Sequence, residues 1–257
     1  MGKYTTEITS DKIISDNPIH QRLLKAYIIV ENWVSGDLLE IGCGEGRGIE
    51  MLSPHCNKYV ALDKNVTIIE ELSSTYKNVE FISAHIPPLK KIATNSFDTV
   101  VAFQVIEHIK NDLLFIEEIY RVLKPGGKAY LTTPNKLKTL TRNPWHIREY
   151  TALSLQNLVS GIFGHFEIKG IRGDEKVMKY YEMNKQSVKR LMRFDIFNLQ
   201  YNLPSGILKI PYEILNRINR NKLNQSDNVL VQQISHENYL LEDQNDQNLD
   251  LFCILTK

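Results

Sequence analysis

Between Leu38 and Gly48 the chain reads Leu-Leu-Glu-Ile-Gly-Cys-Gly-Glu-Gly-Arg-Gly, with four glycines in alternate positions directly after a short apolar run. Glycine at a strand-to-helix turn permits positive φ and brings a ligand close to backbone N–H groups and a helix N-terminus, which suits a polar group. A dinucleotide fingerprint would be G-x-G-x-x-G. Counted from Gly42 its third glycine falls on Arg47, and counted from Gly44 it falls on Ile49, so both registers fail. What remains is Glu40-x-Gly42-x-Gly44-x-Gly46, with Cys43 as a small spacer. Asp63 follows about 20 residues later at the end of the next apolar run, where a carboxylate can accept both hydroxyls of a ribose. Two histidines are placed for proton chemistry. His108 follows the fourth apolar run, at the carboxyl edge where ligands lie in α/β sheets, and His146 sits in Asn143-Pro144-Trp145-His146-Ile147-Arg148-Glu149-Tyr150 after the fifth.

At these residues the sequence resembles the class I S-adenosylmethionine-dependent methyltransferases, in register over residues 17–171. Phe97-Asp98 opening the fourth strand and Leu123-Lys124-Pro125-Gly126-Gly127 before the fifth match the family's order. The resemblance implies S-adenosylmethionine as cofactor. It implies that Gly42, Cys43, Gly44 and Gly46 pass the cofactor's methionine part, that Glu40 positions its amino group, that Asp63 holds the ribose and that Lys64 lies along the adenine. Ala84 and His85 fall on the adenine side, where similar enzymes often carry an acidic or amide residue that this chain lacks. Phe103 and Gln104 fall at the cofactor edge of the fourth strand. The stretch Phe103 to His108 is also similar to the Glu-x-x-Glu-His of methyltransferases that place a divalent metal there. Gln104 replaces the first carboxylate, and a hard cation wants carboxylate oxygens, so no metal is expected. His146 lies in a segment that resembles a His-x-Arg-Glu-aromatic stretch lining the acceptor side of small-molecule methyltransferases. His146 and His108 are the expected catalytic residues.

Holding these residues together requires a sheet. Short, unbroken apolar runs at 38–41, 59–62, 79–82, 97–103 and 129–132, a weaker one at 166–171 and a last at 251–255 have the pattern of strands buried on both faces. They predict an α/β, Rossmann-like, doubly wound, seven-stranded and mostly parallel sheet. Asn17-Pro18 starts a helix whose apolar stripe runs Ile19, Leu23, Tyr27, Val30, Val34. Further helices are expected after Asn111-Asp112 and over 151–163. The organisation read from this pattern is a core over 1–171 with an N-terminal cap helix within 1–35, a helical insert on the substrate side over 172–249, and a final core strand over 250–257. Helices are expected at 185–194 and 204–223 in the insert, with a kink at Pro211, and the polar stretch 242–248 reads as a loop.

The charge arithmetic limits the partners. The 31 Lys+Arg and 30 Asp+Glu sum to +1, so a chain-wide basic coat for nucleic acid or anionic lipid is excluded. The charge is unevenly spread: residues 176–222 hold ten bases and three acids, whereas 223–250 hold six acids and no Lys or Arg. The basic stretch could lid an anionic acceptor, or form a cap whose bases pair with the acidic tail. Three scattered cysteines and no apolar run long enough to span a bilayer point to a cytoplasmic chain with no membrane partner. The expected function is transfer of a methyl group from S-adenosylmethionine to a small molecule, anionic or aromatic, on oxygen in preference to nitrogen. An RNA methyltransferase using the basic insert and a non-catalytic cofactor-binding protein are the alternatives.

Overall fold

The computed structural model describes residues 13–257; the first twelve residues lie outside them. The chain enters through α1 (Asn17–Val30), started by Pro18 in its first turn, and then alternates β1 (Asp37–Ile41), α2 (Ile49–Leu52), β2 (Lys58–Asp63), α3 (Val66–Thr75), β3 (Val79–Ser83) and β4 (Phe97–Phe103). It continues with α4 (Asp112–Val122), β5 (Leu123–Pro134), α5 (Ala152–Ser160) and β6 (His165–Gly173). Local caps account for several boundaries. The side chains of Asn65, Asn111 and Thr151 accept from the backbone at the starts of α3, α4 and α5.

The sheet order is β3-β2-β1-β4-β5-β8-β6-β7. The first five strands are parallel, and chain order reverses between β1 and β4, the kind of crevice in which open α/β sheets bind ligands. Leu38, Leu39, Ile41, Val100, Val101 and Ala129 are buried completely, as their unbroken apolar runs require.

After β6 the chain leaves the sheet for α6 (Glu175–Met192), α7 (Leu199–Asn202), α8 (Ser205–Ser226) and α9 (Asn228–Gln233). It returns as β7 (Tyr239–Asp243) and β8 (Asp250–Thr256). The sheet therefore has eight strands among the described residues, not the expected seven. Tyr239–Asp243, expected inside the insert, pairs antiparallel with β6 from Gly173↔Tyr239 to Lys169↔Asp243. As an edge strand with one exposed face it lacks the continuous apolar run that marks the inner strands. Asn248, expected in a loose loop, is fully buried and its side chain accepts from the Asn245 N–H. Pro211 lies inside α8 without ending it.

Charge pairs join the helical region to the start of the chain. Asp16 is fully buried and meets Arg217 at 2.8 Å and Arg220 at 3.2 Å, so two of the basic residues are held by an acid 200 positions earlier. The acidic tail was expected to do this. Its members pair instead with the sheet and α1: Arg172 with Glu242, Lys169 with Asp243 and Arg22 with Asp250. Only Asp227 of that stretch takes a base from α6, Lys179 at 2.9 Å.

Arg22 also donates to the Leu249 carbonyl at 2.6 Å, and Asp250 accepts from the Gln104 amide at 3.2 Å. Removing the carboxylate of Asp250, itself 2% exposed, leaves the half-buried Arg22 guanidinium with the Leu249 carbonyl alone and the Gln104 amide with the Thr132 hydroxyl alone. Asp250→Ala should lower the unfolding free energy by about 3 kcal/mol. Urea denaturation measures this, with Asp243→Ala on an almost fully exposed carboxylate as the control that should not move. Equal responses would show that burial does not set the strength of the pair.

Candidate active site

The turn after β1 forms one wall of a cavity of about 340 Å³ that runs between α1 and the carboxyl ends of β1, β2 and β4. Of the residues expected to bind a cofactor, Gly42, Cys43, Gly44, Asp63, Lys64, Ala84, His85, Phe103 and Gln104 all line it. Leu23 and Tyr27 of α1 close it from above. Gly44 has φ +51°, and a Cβ there would point into empty space, so the backbone leaves room that a side chain would fill.

Two expected members stand behind this wall. Gly46 has φ +81°, a backbone conformation strained for any residue with a Cβ, so the turn's geometry favours glycine there. Glu40 is 1% exposed, with its oxygens taken by the Tyr27 hydroxyl at 2.7 Å and the Tyr59 hydroxyl at 2.5 Å. Burial pushes its carboxyl above the ordinary range, and the two phenol hydrogen bonds pull it back. Tyr27 meets Phe103 edge-on at 4.8 Å, so Glu40 fixes the cavity roof through this tyrosine.

Four backbone donors of the glycine turn have acceptors within the protein. The Gly42 and Cys43 N–H groups donate to Leu62, Gly46 donates to Cys43, and Gly44 donates to the Asp63 carboxylate at 3.1 Å. The Gly44 N–H, expected to face a ligand, is therefore directed at Asp63. It also orients Asp63, whose second oxygen accepts from the Asn65 N–H at 2.9 Å. Burial pushes the Cys43 thiol well up, which suits a spacer and not a nucleophile.

A second cavity of about 310 Å³ adjoins the first and shares Leu23, Gln104 and His108 with it. Its walls come from α1, the β5 end, residues 138–149, α6 and α8, and include His146, Tyr181, Tyr212, Asn216 and Asn219. Gln104 adopts φ +56°, a strained conformation for a side chain with a Cβ, and its amide donates to Thr132 and Asp250 at 3.2 Å each. The network holds Gln104 between the two cavities. No local sequence signal foretold that φ, because the partners that enforce it lie 28 and 146 residues away.

The two histidines sit 5.0 Å apart, ring centre to ring centre. His108 Nδ1 lies 3.0 Å from the Trp145 carbonyl, which only accepts, so Nδ1 carries the proton and Nε2 is the basic nitrogen. His146 lies between Asn143 and Glu149. The Trp145 N–H donates to Asn143 Oδ1, which turns the Asn143 amide nitrogen toward His146 Nε2 at 3.0 Å. His146 Nε2 is thus an acceptor, and Nδ1–H donates to Glu149 at 2.9 Å. Glu149 also accepts from the Thr139 hydroxyl, while Arg148 is held by Asp112 and the Lys110 carbonyl.

Glu107, beside these rings, was not singled out as a site residue from sequence. It is buried, bonds the Thr133 hydroxyl at 3.0 Å, and its carboxyl is pushed up to about 7, mainly by burial and against the pull of His146. Glu107, His108 and His146 bring one possible metal-ligating atom each within 4.8 Å of one another, a grouping that the Gln104 argument did not foresee.

Residues 39–131 match the family described as a methyltransferase domain. A protein of Mycolicibacterium smegmatis named "Probable S-adenosylmethionine-dependent methyltransferase" is 34% identical over 128 residues, 48% of this chain and 49% of that one. A Mycobacterium tuberculosis protein with the same description is 31% identical over 162 residues, 59% of each. Over residues 39–131 the chain is therefore similar to methyltransferase domains, and the bacterial relatives it resembles are named for S-adenosylmethionine. The chain spans between half and three fifths of the length of these relatives. The mitochondrial ubiquinone biosynthesis O-methyltransferase of Rattus norvegicus is more distant, 33% identical over 106 residues, 38% of this chain and 31% of that one. Among solved structures, a SAM-dependent methyltransferase from Thermotoga maritima superposes with a TM-score of 0.58 at 14% identity, covering 93% of this chain and 91% of that one, which shows the shared fold.

In the folded protein Glu107 holds its proton more tightly than in the unfolded chain. The stability it contributes is complete below the ordinary carboxylate range and is lost as pH rises through about 7. Glu107→Gln, which stays neutral, should flatten the decline in urea midpoint between pH 5 and pH 8. Parallel pH profiles for the two proteins would contradict the assignment.

Proposed function

We propose that this protein transfers the methyl group of S-adenosylmethionine to a hydroxyl of a small-molecule acceptor held in the second cavity. The observation that carries the reading is the meeting of two cavities at Leu23, Gln104 and His108, one glycine-walled with Asp63 at its side and the other lined by tyrosines, asparagines and histidine. The residues of the first cavity fit the cofactor. Gly44 leaves room beside the turn, Asp63 presents a carboxylate preset by two backbone N–H groups, and the apolar surfaces of Ala84, Ile86 and Ile109 can face a heterocycle. Bound S-adenosylmethionine supplies an electrophilic methyl on a sulfonium.

The chain's own part is to align the acceptor and manage one proton. In-line displacement depends first on positioning, and a hydroxyl acceptor adds the need for a base. His108 takes that role because it borders both cavities and its Nδ1–H is fixed on Trp145, which leaves Nε2 as the basic nitrogen. His146, backed by Glu149 and capped by Asn143, forms the acceptor wall beside it. Gln104 separates the two ligands without carrying charge. A carboxylate at this position would confront the buried Asp250 and raise its own pKa.

Asp63→Ala should weaken S-adenosylhomocysteine binding by ~1 to 3 kcal/mol, from lost hydrogen bonds to a charged acceptor. Titration calorimetry measures this, and unchanged affinity removes Asp63 from the cofactor site. His108→Ala should leave that affinity in place while lowering kcat by ~10²-fold or more on an identified hydroxyl acceptor. An unaltered kcat refutes the base assignment, and failure of the wild-type chain to bind S-adenosylhomocysteine refutes the functional reading as a whole.

A further inference from the structure

α8 faces the wrong way for a helix on a water-soluble protein. Surface helices turn their apolar stripe to the core and their polar face to water. Here the inward face presents Tyr212, Asn216, Asn219 and Arg220 to the second cavity. The outward face presents Ile207, Ile210, Ile214 and Ile218, which fall within a quarter of the helix circumference at 3.6 residues per turn. All four isoleucines are exposed, Ile210 to 65%. The loop between α6 and α7, a few residues before α8, exposes Phe194, Ile196 and Phe197 as well, Phe194 to 86%. Contiguous apolar exposure of this kind marks a surface that something covers.

The charges around it say what. Lys189, Arg190 and Arg193 lie in the last turn of α6 and directly after it, next to the aromatic loop, and all three are exposed. Among the described residues none of the three forms a salt bridge, whereas Arg217 and Arg220 on the inner side are held by Asp16. Exposed aromatic and aliphatic side chains bordered by uncommitted cations match the interface of an anionic bilayer, where the apolar groups enter the acyl boundary and the cations meet lipid phosphates. A second copy of the chain suits the surface less well, because a two-fold contact would bring the same cations together.

We propose that the outer face of α8 and the 194–197 loop dock this protein on an anionic membrane surface. This runs against the expectation from sequence of no membrane partner, since a net charge of +1 and the lack of a spanning segment conceal a local interfacial patch. Docking of this kind needs no spanning helix, and none of the described helices is long and apolar enough to cross a membrane. It makes α8 the wall between the bilayer and the second cavity.

Flotation of the full chain with phosphatidylcholine vesicles, with and without phosphatidylglycerol, tests the proposal. The protein should float with the anionic vesicles, leave them as salt is raised, and stay in solution with phosphatidylcholine alone. Ile210→Glu/Ile214→Glu should reduce the floated fraction roughly tenfold or more, with its melting temperature and S-adenosylhomocysteine affinity unchanged. If that variant does not fold, Phe194→Ser/Phe197→Ser in the loop serves in its place and should show the same loss. Absence of wild-type flotation on anionic vesicles overturns the proposal, as does equal flotation of the folded variants. It is equally overturned if sedimentation reveals a dimer that the glutamates dissociate, which would assign the face to a second copy. None of these results depends on whether the cofactor binds, so the docking claim and the catalytic reading fail separately.

Discussion

The buried pairing of Arg22 with Asp250 is the interaction on which the arrangement of the site depends. Arg22 belongs to α1 and Asp250 opens β8, so a single ion pair spans 228 residues and fastens the first helix to a strand in the middle of the sheet. An isolated charge in this position would be costly, and further hydrogen bonds support the pair. The Leu249 carbonyl takes a second guanidinium donor, and Gln104 supplies Asp250 with another hydrogen bond. The same cluster therefore sets three things: how closely α1 covers the cofactor cavity, where the last strand enters the sheet, and how Gln104 is oriented between the two cavities.

That constraint explains the division of labour around it. Leu23 and Tyr27 follow Arg22 on α1 and form the roof of the cofactor cavity, and Tyr27 is anchored below by Glu40. Glu40, expected from sequence to position the cofactor's amino group, is bonded in this structure to the Tyr27 and Tyr59 hydroxyls. On the other side of Gln104, Asn143 and Trp145 determine the proton positions of both histidines. The Trp145 carbonyl accepts from His108 Nδ1–H, and the Trp145 N–H turns the Asn143 amide toward His146. Two histidines of the same type, 38 residues apart, acquire different hydrogen-bonding roles from one short loop.

The elements that lie in the parallel part of the fold were legible because burial on both faces of a strand leaves a continuous apolar run that nothing else in a water-soluble chain requires. Leu38–Ile41, Tyr59–Leu62 and Phe97–Phe103 were readable on that ground, as was the glycine turn that follows the first of them. β7 was not. An edge strand needs only one apolar face, and Tyr239-Leu240-Leu241-Glu242-Asp243 runs into a stretch of Asn, Asp and Gln whose composition resembles a loop. That stretch is ordered by side-chain bonds, Asn245 and Asn248 both reaching Glu242, which depend on a turn geometry that composition does not encode.

The sequence by itself determined the fold class, the glycine turn, the acidic residue after β2 and the uneven spread of charge, because each rests on local periodicity, local spacing or simple counting. Only the tertiary structure decided which charges cancel and which remain. Asp16, far away in the chain, takes the arginines on the inner side of α8, while the cations at the end of α6 are left at the surface beside isoleucines and phenylalanines. It also decided that the glycine turn is tied to Leu62 and Asp63 of β2 and that Glu107 is buried close to His146. The physical reason is the same in each case: a hydrogen bond or ion pair between residues 100 or 200 positions apart leaves no periodic trace, and burial, which sets its strength, exists only once the chain has closed on itself.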